Sequence, residues 1–289
     1  MGKMFDALQK MEREKTPELR EAVPKTAPRD IVFDSRIITY FEPYSLAAEQ
    51  FRRLKTHIIR TGMENSRRTI LVTSAMAEEG KTLNAVNLAL CLAEDYQSHV
   101  LLVDCDLRNP SFSKWFGFEE KRGISDYLAG EAELPDLILK TPLERLSILP
   151  CGSMQENPVE LIGSNRMKDL VQELKTRYAD RYVIFDSSPL LATTEPTVLN
   201  EMVDGILFVI KSGTTPRESV SHALKMLDRE KIMGVVLNDL QFKTQGLIRR
   251  YFGHKRYYGD YRYTSERSEP RGIKSFFKRR GSGKKDISA

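Results

Sequence analysis

Disulfide and zinc chemistry are the first things this sequence leaves out. Its 3 cysteines, Cys91, Cys105 and Cys151, stand far apart without a CxxC spacing, and its 4 histidines are scattered. That distribution supplies neither a cystine scaffold nor a Cys/His metal cage, and it suits reduced cytoplasmic thiols. Long apolar runs are missing too. The longest are short, such as residues 206–210, whereas a membrane-spanning helix requires about 18 consecutive apolar residues. The opening MGKMFDALQKMEREK carries acidic residues and no apolar stretch leading into small ones, so no secretory signal is expected. What remains, at 289 residues with 40% hydrophobic and 29% charged, fits one large globular domain or a domain with appendages.

Charge is unevenly spread. From Lys243 to the end there are 14 Lys and Arg against 4 Asp and Glu, a balance of +10, so the net +5 of the chain leaves the preceding part at −5. The basic character belongs to a tail, which could meet phosphates, an acidic partner or a lipid surface.

Residues 1–16 read as a short amphipathic helix with Met4, Phe5, Leu8 and Met11 on one face. Pro17, Pro24 and Pro28 punctuate a polar stretch that reads as a linker, so 1–38 is taken as helix plus linker. A helical pattern begins near Ser45. Beyond it, β-branched runs at 69–73, 100–103, 146–149, 182–185, 205–210 and 234–237 alternate with helical stretches at 81–95, 157–178, 195–202 and 216–229. Apolar runs without alternation, joined by helices, predict a mostly parallel sheet covered on both faces: a doubly wound α/β domain over about 39–242, followed by a tail from 243 to 289.

Three strand ends carry chemistry. SAMAEEGKT at 74–82 directly follows the strand TILVT and is the back half of a phosphate-binding loop, with Gly80-Lys81-Thr82 opening a helix. Gly80 lets backbone approach phosphate oxygens and the helix start adds partial positive charge. Lys81 would neutralise the outer phosphates, and the Thr82 hydroxyl would ligate Mg²⁺. The loop's usual first glycine is Ala75, and Glu78 must point outward to avoid repelling phosphate. LLVDCDLRNP at 101–110 ends a buried strand in two carboxylates, Asp104 and Asp106, which point the same way on an extended chain. One suits Mg²⁺ held through water, the other a proton acceptor for an attacking hydroxyl. YVIFDSSP at 182–189 places Asp186 where a second magnesium anchor is expected after a phosphate loop. Taken singly, each has a bland reading as a helix start, a solvated turn or an N-cap; in this order, at strand ends, they predict a nucleotide site.

With these residues in hand, the sequence resembles the bacterial protein-tyrosine kinases of capsule and exopolysaccharide synthesis, over about residues 45–240. The resemblance rests on the phosphate loop, the DxDxR segment at 104–108 and the DxxP segment at 186–189, with softer likeness at 123–130, 215–218 and 234–238. It implies a P-loop ATPase-type fold of the kind shared with partitioning ATPases. It also implies ATP and Mg²⁺ as cofactors, Lys81, Asp104, Asp106 and Asp186 as catalytic residues, and Thr82, Asp104 and Asp186 as metal ligands. Nucleotide contacts are expected at Glu79, Gly80, Lys81, Thr82 and Leu83, with Asn238 near the adenine. Where the family commonly has Pro-Gly before Glu-Gly-Lys, this chain has Ala77-Glu78, and Ser187-Ser188 replaces Thr-Pro.

The resemblance extends to assembly. Glu49, Arg52 and Lys55, three residues apart on one helix face, resemble the E-x-x-R-x-x-R element that joins protomers into a ring, with Lys in the last place. Tyr251, Tyr257, Tyr258, Tyr261 and Tyr263 lie among glycines and charges in the tail, where the family carries its autophosphorylation sites. Interleaved Arg and Tyr also suit base stacking, the blander alternative, although no nucleic acid partner is expected for this family. A separate membrane-spanning polysaccharide co-polymerase that activates the kinase is implied, together with a cognate tyrosine phosphatase and a cytoplasmic location at the inner face of the membrane. Two rivals stand beside the kinase. One is a partitioning ATPase, which would carry a lysine where Met76 stands; the other is a non-catalytic nucleotide-binding adaptor.

Overall fold

Every apolar run expected as a strand forms one, and all but the last, over 232–238, lie almost wholly out of water. The structure, a computed structural model, describes residues 31–240 apart from 66, 97, 120–121, 154, 156 and 178–180. The N-terminal amphipathic stretch at 1–16 and the basic tail from 243 therefore lie outside the described residues, as does most of the linker.

Seven strands make one sheet: β1 (Thr69–Ser74), β2 (His99–Asp104), β3 (Leu139–Lys140), β4 (Leu146–Leu149), β5 (Arg181–Asp186), β6 (Gly205–Lys211) and β7 (Ile232–Asn238). Their order is β3-β4-β2-β5-β1-β6-β7, with every pairing parallel except the short β3 against β4. β3 was not expected; two residues give no periodicity to read. Around the sheet run α1 (Ile38–Phe41), α2 (Leu46–Asn65), α3 (Lys81–Ala93), α4 (Phe112–Phe116), α5 (Ile124–Ala129), α6 (Leu134–Leu137), α7 (Pro158–Ile162), α8 (Asn165–Arg177), α9 (Glu195–Met202) and α10 (Arg217–Lys225). Alternate strand residues feed two apolar layers. Ile70, Val72, Leu102 and Ile184 meet α3 and α4 on one face. Leu71, Val103, Phe185 and Phe208 meet α8 and α9 on the other. The fold is thus the doubly wound α/β arrangement that the sequence predicts.

Two helical boundaries differ from expectation for local reasons. The stretch 157–178 divides because Gly163 ends α7 and the Ser164 hydroxyl accepts the Met167 N–H at 3.2 Å, starting α8 afresh. The stretch 216–229 stops at Lys225, and the Asp228 carboxylate then accepts the Glu230 N–H at 3.0 Å to begin a short 3₁₀ turn.

The described end of the stretch read as linker is packed. Val32 and Asp34 donate their N–H groups to Phe116 and Trp115 carbonyls, Ile37 is fully buried, and Phe33 meets Phe116 edge-on. Asn87, on the second turn of α3, fastens this strap. Its Oδ1 accepts from the Thr39 N–H and hydroxyl, and its Nδ2 donates to the Arg36 carbonyl. Among the described residues, no helix is long and apolar enough to cross a membrane.

Candidate active site

Because β2, β5 and β1 are neighbours, their C-terminal ends bring Asp104, Asp186 and the 74–82 loop side by side. This is the edge where an open parallel sheet places ligands. Asp104 and Asp186 stand opposite one another in register.

The loop has the shape its sequence requires. Gly80 adopts φ 91°, the left-handed region, and a Cβ there would lie 2.0 Å from Asn238 Nδ2. The first helical hydrogen bond of α3 runs from the Asn84 N–H to the Gly80 carbonyl at 3.0 Å. The amides of Lys81, Thr82 and Leu83 thus have no carbonyl within the helix and are available to phosphate oxygens. The Leu83 side chain itself packs against the apolar layer, which leaves only its backbone for a ligand. Glu78, also left-handed at φ 63°, points into solvent, the orientation a phosphate would demand.

Glu79 behaves differently from its expected part. Its carboxylate is buried and turned into its own loop. Oε2 accepts the Met76 N–H at 2.7 Å and Oε1 accepts the Thr215 hydroxyl from the segment after β6. Its side chain braces the loop, and only its backbone faces the ligand position. Asn238, at the end of β7, donates Nδ2 to the Glu79 carbonyl at 2.9 Å, so it too fixes the loop. The sequence carries no local signal for either bond, since Thr215 and Asn238 lie 136 and 159 residues further along the chain.

Electrostatically the centre is one ammonium among three buried carboxylates. Lys81 Nζ lies 3.1 Å from Asp106 Oδ2, with both side chains largely out of water. Burial would favour a neutral lysine, but Asp186, Asp106 and Asp104 outweigh it and hold the Lys81 pKa above the ordinary value. Asp104 is raised well above the usual carboxylate range by burial and by Asp186. It is only partly relieved by N–H donors from Ser111 at 3.0 Å, Phe112 at 3.2 Å and Asp106 at 3.1 Å. Asp186 is pushed up to about 7, chiefly by burial, against the pull of Lys81, the nearby Thr82 hydroxyl and the Ser187 N–H. Neither Asp186 oxygen has a donor at good hydrogen-bond geometry, although both are fully buried. Two orphaned oxygens beside a threonine hydroxyl at a helix start fit a hard divalent cation, which would satisfy them with water and phosphate. Ser187 and Ser188 do not compete for it. The Ser187 hydroxyl donates to the Val72 carbonyl at 3.1 Å, and the Ser188 hydroxyl pairs with Thr193 at 2.6 Å.

The remaining predicted residues lie elsewhere. Glu49 and Arg52 pair with each other on α2 at 3.0 Å, and Arg52 also reaches the Pro43 carbonyl. Lys55 follows on the same helix, with no bonded partner among the described residues. Tyr251, Tyr257, Tyr258, Tyr261 and Tyr263 lie outside the described residues.

Residues 67–233 match the AAA domain family. The chain is 33% identical over 204 residues to the tyrosine-protein kinase YwqD of Bacillus subtilis, covering 70% of this chain and 85% of that one. It is 32% identical over 249 residues to the succinoglycan biosynthesis transport protein ExoP of Rhizobium meliloti, covering 83% of this chain but only 31% of ExoP. Among solved structures, the kinase domain of the Escherichia coli tyrosine kinase ETK superposes with a TM-score of 0.69 at 28% identity, covering 76% of this chain and 86% of that domain.

Proposed function

Since the chain belongs to the bacterial tyrosine-protein kinases within the AAA-domain group, we propose that it transfers the γ-phosphoryl group of ATP to tyrosine hydroxyls, first among them its own C-terminal cluster. The observation that carries this reading is the Lys81–Asp106 pair spanning the end of the strand that bears Asp186. It sets a cation where β- and γ-phosphates would lie and leaves carboxylates on the acceptor side. The backbone N–H groups from Gly80 to Leu83 cradle the phosphates, and Lys81 offsets the charge that develops on them. Thr82 and Asp186 would hold Mg²⁺ directly and Asp104 through water. When bound, this ion would neutralise phosphate charge and align the outer phosphates. Asp106 or Asp104 takes the phenolic proton as the tyrosine oxygen attacks in line. Asn238 sits beside Gly80, from where it can reach the base of the nucleotide.

ExoP is a succinoglycan biosynthesis transport protein, and this chain matches 31% of its length. The likeness to ExoP supports a membrane partner here: a membrane-spanning polysaccharide co-polymerase would recruit this chain to the cytoplasmic face and activate it. The Glu49-Arg52-Lys55 face of α2 is the surface through which copies would join in a ring. Each phosphate added to the tail contributes about −1.5 to −2 charges at neutral pH, so several would cancel much of its +10 and disassemble the ring, with a tyrosine phosphatase resetting the cycle.

Incubation of purified protein with Mg-ATP, followed by mass-spectrometric mapping of phosphotyrosine, tests the reading. Phosphate concentrated between Tyr251 and Tyr263 is the expected result. Hydrolysis of ATP without any phosphotyrosine, with a membrane partner's cytoplasmic segment present, would contradict it.

A further inference from the structure

Arg108 closes the DxDxR segment, two residues beyond Asp106. The turn that carries it is closed by the Asn109 N–H to the Asp106 carbonyl at 3.1 Å, so its position follows that of the carboxylate on Lys81. Half of its side chain is exposed, and it is attached at a single point: Nε donates to Glu195 Oε1 at 2.7 Å. Glu195, at the start of α9, is almost completely buried, and its other oxygen, Oε2, has no partner. Two residues on, the buried Thr197 hydroxyl is also without one. A buried carboxylate left half-satisfied is costly, and fixing one guanidinium edge is a return on that cost. The pair links the segments that follow β2 and β5, the two strands whose ends carry Asp104 and Asp186. Held through Nε, the guanidinium keeps its two terminal nitrogens for another partner, and among the described residues they bond to none. Two residues beyond the carboxylate that pairs with Lys81, a planar fork of donors matches a phosphoryl group.

We propose that Arg108 is a catalytic residue that engages the γ-phosphoryl group during transfer, and that Glu195 is the positioning residue that aims it. The inference rests on the kinase reading above. In the step itself the tyrosine oxygen forms its bond to the γ-phosphorus while the bond to the β,γ-bridging oxygen breaks. The electron pair leaves with ADP, and the phenolic proton passes to Asp106 or Asp104. Arg108 covers the equatorial oxygens that Lys81 and the metal ion leave open, where charge accumulates in the transition state.

The test compares full-length wild type with Arg108→Ala, Arg108→Lys, Glu195→Gln, Glu195→Ala and the double Arg108→Ala/Glu195→Ala. Two quantities are read: the phosphotyrosine rate at saturating ATP, and affinity for Mg-ADP with and without aluminium fluoride. Arg108→Ala lowers the rate on the order of 10³-fold, as loss of a transition-state arginine does, while Mg-ADP affinity stays within about twofold and the tightening by aluminium fluoride disappears. Lysine does not restore either, because it lacks the fork. Glu195→Gln keeps a carbonyl for Nε and retains most of the rate. Glu195→Ala falls nearly as far as Arg108→Ala, and the double variant falls no further. A rate for Arg108→Ala within threefold of wild type, or a loss of Mg-ADP affinity parallel to the loss of rate, overturns the proposal. The aluminium fluoride arm needs no tyrosine acceptor. Absence of phosphotyrosine in wild type, with Arg108-dependent tightening intact, would therefore strike the autokinase reading and spare this one; absence of tightening in wild type sinks it.

Discussion

Lys81 Nζ and Asp106 Oδ2 meet at 3.1 Å across the end of β5, the strand between theirs that carries Asp186. The contact ties the helix start after β1 to the turn after β2. Any ligand phosphate entering the loop must share this lysine with the carboxylates that already surround it. The nucleotide-free site is therefore charged for a cationic and phosphate guest, and several consequences follow from that imbalance.

Asp186 should make the nucleotide-free protein sensitive to pH. Its folded pKa is about 7, raised from the ordinary aspartate value of 3.8, so the folded state binds this proton more tightly than the unfolded chain does. The stabilising effect is complete below about pH 4 and is lost as pH rises through about 7. Asp104 is shifted in the same direction. Replacing Asp186 by Asn should remove roughly 3 kcal/mol of that dependence and raise the melting temperature of the nucleotide-free protein at pH 8, while abolishing Mg-dependent transfer. Thermal unfolding at pH 5 and pH 8 checks this; a variant as pH-sensitive as wild type would refute it.

Gly80 to Ala should be severe, for two reasons that can be separated. The residue is left-handed at φ 91°, and its new Cβ would displace an Asn238 amide that is itself bonded to the Glu79 carbonyl. Asn238→Ala removes the steric part, so the double variant should lose less than the sum of the single ones. The remaining backbone strain would still cost about 1 kcal/mol. Nucleotide affinities and urea midpoints of the three variants give the cycle; strict additivity would contradict the geometry.

Glu79 is expected to act as a brace. Glu79→Ala removes the acceptor of both the Met76 N–H and the Thr215 hydroxyl, and Thr215→Val removes only the second. Both variants should weaken Mg-ATP binding, the first by more than tenfold and the second by less, the latter matching roughly 1 kcal/mol for one hydrogen bond. Calorimetric titration decides the matter. Unchanged affinity in Glu79→Ala would mean that the loop holds its shape without this carboxylate.

The strap over α4 links stability to the site. Phe33 packs edge-on against Phe116, and α4 starts with the Ser111 and Phe112 amides that hold Asp104. Phe33→Ala should cost about 2–4 kcal/mol, read from the urea midpoint. An effect below 1 kcal/mol would show that the strap adds little to the fold.

How much of this could be read in the sequence differs by the range of the interactions involved. Strands such as TILVT and YVIFD announce themselves because burial on both faces demands unbroken apolar runs, and their terminal Asp104 and Asp186 are found with them. Loop chemistry at Gly80-Lys81-Thr82 is equally local. What escapes is anything fixed by a distant partner. Glu79 turns inward because Thr215 lies beside it, Asn238 caps the loop from the last strand, and residues 31–38, punctuated upstream by prolines, pack because Asn87 waits on α3. Glu195 is the clearest case. An acidic residue before proline at a helix start reads as ordinary N-terminal chemistry, and only the fold brings it to Arg108, 87 positions earlier.

The central claim is best tested by blotting for phosphotyrosine after incubation with Mg-ATP, comparing full-length protein with Lys81→Met and with a truncation after Gln241. Where the protein is silent alone, the assay is repeated with the cytoplasmic segment of its membrane activator. Signal in the full-length protein that is lost in both variants is the predicted result: the phosphate loop supplies the phosphoryl group and the tail receives it. Undiminished phosphotyrosine in Lys81→Met, or none in any sample with the activator present and ATP bound, would contradict the account.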